Sequence, residues 1–138
     1  MLLPKKVKHR KWHKGRRKNR AVETRGLDVS YGDYGLKAMG SARLTSRQIE
    51  SARKTMTGYL KREGRVFIRV FPDRPITKRP PELTMGGGKG PVDHYVFLVR
   101  PGRIIFEIAG VSLEKASRAL QLAAYKLPFG CKIVARHR

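Results

Sequence analysis

The sequence predicts an α+β domain of mostly antiparallel strands with two main helices, preceded by a basic N-terminal extension. Three observations point there. The 138 residues suit one compact domain and leave little room for a second. Two stretches with helical apolar spacing, each behind a capping residue, stand well apart. The apolar runs around them are short, alternating or β-branched, and bounded by turn residues, without the regular strand–helix alternation of a doubly wound sheet. The division that follows is an extension over residues 1–22 and one domain over 23–138 with a Gly-rich loop at 84–91.

The extension carries Lys5, Lys6, Lys8, Arg10, Lys11, Lys14, Arg16, Arg17, Lys18 and Arg20 and no acid. Its apolar residues are sparse and aperiodic, so alone it cannot offset its ordering entropy, whereas on a polyanion it can order. The whole chain has 32 Lys and Arg against 10 Asp and Glu, a formal charge of +22. That much like charge disfavours compaction unless a polyanion relieves it, and nucleic acid is the commonest one. An anionic membrane would also serve, but no run approaches the roughly 20 apolar residues of a span. Cys131 is the single cysteine, which precludes an internal disulfide framework and fits a reducing compartment. Residues 1–22 share their lack of acid with mitochondrial transit peptides, yet Pro4 and Gly15 interrupt the amphipathic helix such a peptide needs.

In chain order, Val29 and Tyr31 alternate with polar neighbours and predict a short strand, while Gly32 and Gly35 suggest a bulge or a close backbone approach. Thr45 and Gln48 form a capping box, with Leu44 and Ile49 at the hydrophobic-staple positions. Ile49, Ala52, Met56 and Tyr59 or Leu60 then make the buried stripe of a helix that Gly64 stops. Arg47, Lys54 and Lys61 line another face, and Glu50 can pair with Lys54. Residues 65–71 alternate, with Val66, Ile68 and Val70 on one side and Arg65, Phe67, Arg69 and Phe71 on the other. Pro72-Asp73-Arg74-Pro75 reads as a turn, and residues 76–83, with Pro80 and Pro81, as extended chain unsuited to a central strand. Residues 94–100 and 103–109 around Pro101-Gly102 predict a hairpin on a type II turn. Ser112 caps a second helix, with Glu114 in its first turn, a stripe of Leu113, Ala116, Leu120, Ala124 and Leu127, and Pro128 at its end. Ile133 and Val134 suggest a last strand.

Little in the sequence supports catalysis. The loop Thr84-Met85-Gly86-Gly87-Gly88-Lys89-Gly90-Pro91 is no nucleotide-binding P-loop: Leu83 stands at the first glycine position and Gly90 where a magnesium-ligating hydroxyl belongs. Its glycines suit instead a close backbone approach to RNA, with Lys89 on phosphate. His9 and His13 sit in the extension, a poor place to hold geometry, His94 begins a strand and His137 is at the end, so all four read as phosphate or base contacts or as simply exposed. His9, His13 and Cys131 lack a fourth clear metal ligand. Trp12, between Lys11 and His13, suits base stacking or packing onto the domain, whereas Tyr31, Tyr34, Phe67 and Phe71 read as core or core edge.

Several segments together resemble the L-sixteen family of large-subunit ribosomal proteins, in order and over almost the whole chain. They are Met1-Leu2-Leu3-Pro4-Lys5 with His9-Arg10-Lys11, Tyr31-Gly32-Asp33-Tyr34-Gly35-Leu36, the run from Leu44 to Arg53, Ile68-Arg69-Val70-Phe71-Pro72-Asp73-Arg74-Pro75 and Lys126-Leu127-Pro128. The resemblance begins at Met1, which argues against a cleaved transit peptide. Two departures stand out. Thr84 occupies the place of an arginine in the family's loop, and Phe129-Gly130-Cys131 follows Pro128 where Pro-Ile-Lys is common.

The resemblance implies a hammerhead-type α+β fold bound to 23S rRNA near the base of the central protuberance. It places the chain beside the aminoacyl-tRNA site and the peptidyl transferase region, with a secondary contact to tRNA at the peptidyl site. Carried over residue by residue, the loop that approaches tRNA is Met85, Gly86, Gly88, Lys89 and Gly90, to which charge adds Lys78 and Arg79. The rRNA contacts expected from charge are the ten extension cations with Trp12, and a domain face of Arg47, Lys54, Lys61, Arg65 and Arg69. The expected role is positional, with no catalytic residue, cofactor, metal or membrane. Neighbouring ribosomal proteins are partners, in a bacterial-type cytoplasmic ribosome or its organellar counterpart. The competing readings are a free-standing RNA-binding factor and a ribonuclease using His94 and Lys89.

Overall fold

The computed structural model describes residues 1–14 and 21–137; the expected contacts at Arg16, Arg17, Lys18 and Arg20 lie outside them. The elements in order are β1 (Tyr34–Ala38), β2 (Ala42–Thr45), α1 (Ser46–Leu60), β3 (Arg65–Ile68), β4 (Arg74–Thr77), β5 (Val92–Val99), β6 (Ile104–Ala109), α2 (Leu113–Ala124) and β7 (Cys131–Ala135). They build two antiparallel sheets, of order β3-β6-β1-β7 and β2-β5-β4. The α+β class expected from the pattern is the class observed.

The core lies where α1 and α2 pack on each other and over the larger sheet. The start of α1 follows its local signals: Gln48 N donates to the Thr45 side chain, the Gln48 side chain accepts from Thr45 N, and Leu44 and Ile49 are fully buried beside them. Ile49, Ala52, Met56 and Leu60 are buried, and Tyr59 turns outward. Glu50 pairs with Arg53, not with Lys54: the Arg53 Nε donates to Glu50 over 3.0 Å, and the guanidinium holds the Glu50 carboxyl below the usual carboxylate range. The helix stops before Gly64, because Lys61 and Arg62 themselves take the left-handed conformation at φ 51° and 65°. Gly64 serves a close approach: a Cβ there would lie 2.4 Å from the Ala109 carbonyl oxygen.

In α2, capped by Ser112, the buried stripe is Ala116, Ala119, Leu120 and Ala123, and these small side chains allow α1 and α2 to lie close. Leu113 is exposed and Ala124 only half-buried, and the helix ends at Ala124, before Pro128 acts. Leu127 joins the core from the following turn.

Three strand expectations are corrected. The first strand is Tyr34–Ala38, and Val29 and Tyr31 lie off it, on a segment draped over the larger sheet. Gly35 and Gly32 make that draping possible: Cβ atoms would meet Val29 at 2.7 Å and the Ile108 carbonyl at 2.7 Å. Arg74 and Pro75, expected in a turn, open β4, whose edge position suits the extended, non-central chain expected from residue 76 and tolerates Pro75. The expected hairpin does not form. The turn is there, with Gly102 at φ 101° and Arg103 N bonded to Arg100 O, but β5 and β6 leave it into different sheets. The reason is burial: β6 is covered on both faces and needs a strand on each side, which β3 and β1 supply.

β3 ends at Ile68, although Arg69 N still bonds Ile105 O at 2.9 Å. β7 contains the expected Ile133 and Val134.

Candidate nucleic-acid interface

The Gly-rich loop springs from the smaller sheet, between β4 and β5. Its base is closed by Lys78 N donating to Pro91 O over 3.1 Å, and Gly90 lies so close to Arg79 that a Cβ would fall 2.9 Å from Arg79 Cγ. Gly86, Gly87 and Gly88 all have positive φ, at 108°, 80° and 97°, with nothing within 4 Å of an added Cβ. This backbone is open to a partner and accessible chiefly to glycine. Met85 stands at the tip, 96% exposed. Arg79 works inside the loop, donating to the carbonyls of Thr84 and Gly88.

The extension meets this loop. Lys11 Nζ donates to Lys89 O at 3.1 Å, and Lys89 Nζ donates back to Trp12 O. On the smaller sheet, Arg74 Nη2 donates to His13 O at 2.6 Å and to Lys14 O at 3.1 Å, and Arg43 donates to Lys14 O at 2.8 Å. The Arg74 guanidinium lies 5.9 Å from the centre of the Trp12 ring, which remains 42% exposed. His9, Lys11, Trp12 and His13 line an open cleft of about 430 Å³. Two segments far apart in sequence, each expected to contact RNA, thus form one surface.

The electrostatics of that surface are one-sided. Lys11, Lys89 and Arg74 hydrogen-bond carbonyl oxygens, which orient the cations without cancelling their charge. Among the described residues, four carboxylates pair with other side chains: Glu50 with Arg53, Glu107 with Arg69, Asp93 with His94 and Glu63 with Lys115. Arg74 Nε is buried with no partner among the described residues. Lys5, Lys6, Lys8, Arg10 and Lys14 are exposed along the extension, whereas Leu2 is half-buried against the core.

Arg47, Lys54, Lys61 and Arg65 form a second exposed basic patch, along α1 and the start of β3. Arg69, expected in that patch, has a different task. Its Nη1 bonds Glu107 Oε1 at 2.8 Å, and Glu107 is fully buried in the middle of β6. The same carboxylate accepts from the backbone N–H groups of Ser30 (2.7 Å), Tyr31 (2.9 Å) and Gly32 (3.3 Å). One acid therefore ties the draped segment, the edge strand and the central strand together. Sequence reasoning passed over it, though an acid inside the apolar run Ile104-Ile105-Phe106-Glu107-Ile108 is a signal that a buried charge needs partners.

Chemistry of other kinds finds little footing. The half-buried Cys131 thiol is pushed up to about 11 by burial, so at neutral pH it holds its proton and is a poor nucleophile. His94 Nδ1 bonds its exposed neighbour Asp93 at 2.8 Å. Among the described residues no group of three or more His, Cys, Asp and Glu side chains is arranged to hold a metal, and no helix is long and apolar enough to cross a membrane.

Residues 4–134 match the family model for ribosomal protein L16p/L10e, nearly the full length of the chain. The match spans the extension, both sheets, both helices and the loop. The chain belongs to the ribosomal protein L16p/L10e family, and is a structural constituent of the large ribosomal subunit.

Proposed function

We propose that the chain binds 23S rRNA through its extension and the exposed face of α1, and that loop 84–91 helps seat tRNA at the aminoacyl site beside the peptidyl transferase region. One observation carries this reading: the extension and the loop join into a single basic surface whose cations are oriented by carbonyls and left uncancelled. Such groups neutralise phosphates and release counterions, which supplies affinity without reading sequence. The open glycines at 86–88 let backbone N–H groups approach a phosphate or ribose as side-chain-bearing residues could not. Lys89, fixed at the junction, adds a point charge, and Trp12 offers a ring to an unpaired base. Lys78 and Met85 extend the same surface, and Arg79 shapes it from within. The chemistry of peptide-bond formation is assigned to no side chain here; the protein positions RNA.

The test is to build large subunits with Lys89→Ala. Because Lys89 is exposed, the variant should fold and enter particles at one copy each, as judged by mass spectrometry across a high-salt sucrose gradient. Binding of tRNA at the aminoacyl site should weaken. Normal tRNA binding in such particles would remove the loop from the tRNA contact. Recovery of the wild-type chain chiefly in light fractions would overturn the rRNA reading itself.

A further inference from the structure

We infer that Tyr31 and Phe67, framed by Arg65 and Arg69, form a stacking platform for one unpaired base of RNA, apart from the extension–loop surface. The inference rests on the reading that the chain binds rRNA. Tyr31 is 63% exposed, against the expectation that it belongs to the core edge. Its ring stacks on Phe67 with centroids 5.8 Å apart and planes at 27°. The Arg69 guanidinium carbon lies 4.9 Å from the centre of the Tyr31 ring, and that of Arg65 lies 5.8 Å from the centre of Phe67. Two rings and two guanidinium groups thus form one continuous π and cationic surface where the segment before β1 meets the edge strand β3 of the larger sheet, while the loop belongs to the smaller one.

The platform is rigid because its supports are buried. Tyr31 is pinned through its backbone N–H to Glu107 and Arg69 through its guanidinium to the same carboxylate, while Phe67 sits opposite Glu107 in the β3–β6 register. Preorganised aromatic groups lose little freedom on stacking. The charges select the occupant. The Glu107 carboxylate neutralises Arg69, whose guanidinium already backs the Tyr31 ring, but Arg65 is exposed and keeps its charge for a phosphate beside the base. A ring flanked by arginines on a chain of charge +22 fits an anionic, aromatic ligand, and a nucleotide is both. With one contact on each sheet, the chain would hold two RNA segments at a fixed spacing.

The test compares the full-length wild type with Tyr31→Leu and Tyr31→Phe. The probe is a single-stranded oligoribonucleotide carrying one 2-aminopurine, alongside the same oligonucleotide abasic at that position. Tyr31→Leu keeps the backbone anchor and should still unfold cooperatively in urea, at a slightly lower midpoint because the ring's contacts with Phe67 and Arg69 are lost. Its affinity for the base-bearing probe should fall roughly 5- to 150-fold, the range for loss of one stacked base. Binding of the abasic probe and the slope against salt should not change, because no cation is removed. Tyr31→Phe should bind as wild type does and quench 2-aminopurine equally. Equal binding and quenching by Tyr31→Leu would overturn the platform, as would capture of an acidic peptide with the same dependence on Tyr31 and no preference for the base. Failure of the wild type to bind either probe would instead sink the RNA reading beneath it.

Discussion

Removing Glu107 should damage this protein more than removing Arg69, although the two form one ion pair. Glu107 is fully buried and accepts four hydrogen bonds, from Arg69 and the N–H groups of Ser30, Tyr31 and Gly32. Glu107→Ala strands all four donors and leaves a guanidinium only 18% exposed without its counterion. Breaking a buried pair in this way costs about 3–5 kcal/mol. Partial access of water to Arg69 and to the exposed residues Ser30 and Tyr31 favours the lower end, near ~3 kcal/mol, still a large part of a typical stability of about 5–15 kcal/mol. Arg69→Met removes one hydrogen bond to a charged group, worth about 1.5–3 kcal/mol, and leaves the carboxylate with its three backbone donors, so its loss should be the smaller of the two. Urea unfolding followed by far-ultraviolet circular dichroism measures both, with Glu107→Gln as a milder variant should Glu107→Ala fail to fold. A double variant, Glu107→Ala with Arg69→Met, should be less damaged than the sum of the singles, since neither charge is then stranded. A Glu107→Ala loss under about 1 kcal/mol, or a larger loss for Arg69→Met, would refute the account of the carboxylate as the common anchor.

Two further outcomes follow from the charge distribution and from burial. Deleting residues 1–20 removes ten cations and should flatten the log–log salt dependence of rRNA binding by roughly 7 units if each displaces one counterion on a single strand; an unchanged slope would make the extension a solvated tail. Because burial raises the Cys131 thiol to about 11, alkylation of the folded protein should be slow at pH 8 and faster in urea, and its rate should climb up to about pH 11. The linkage sign is that of an acid whose neutral form is favoured by folding: the contribution is complete below the unfolded thiol's pKa and is lost as pH rises from there towards about 11. Equal alkylation rates in folded and unfolded chains at pH 8 would show the thiol to be accessible.

What the sequence disclosed depended on how local the cause was. The start of α1 was legible to the residue because a capping box and staple are made by neighbours five positions apart at most. The alternation Val66, Ile68, Val70 correctly named the core side of β3. The hairpin reading failed because Pro101-Gly102 encodes a reversal but not the partner of either strand, and β6 takes β3 and β1 instead of β5. The same limit hid the junction of Lys11 and Lys89, each visible as a cation but not as a neighbour of the other. Arg69 was placed outward by strand alternation, which is geometrically right. Nothing within seven residues of it shows that a buried acid waits there.

Glu107 also explains how a chain with 32 cations and 10 acids keeps a defined fold. Several of its acids fix local structure. Glu23 accepts from the N–H groups of Thr24 and Arg25, Asp33 from Gly110 N, and Glu50 and Glu63 hold Arg53 and Lys115, the latter joining the end of α1 to the start of α2. Glu107 fastens three segments at once. At the junction of extension and loop, Lys11, Lys89 and Arg74 are held by carbonyls instead, which cost no acid and leave the field intact. A domain built this way carries its self-repulsion as a reserve that a polyanion relieves on binding, so assembly with RNA and stability rise together. Thermal unfolding should therefore shift upward on adding rRNA at low salt, and the shift should shrink as salt rises. A shift indifferent to salt would mean that the charge has no part in holding the chain to its partner.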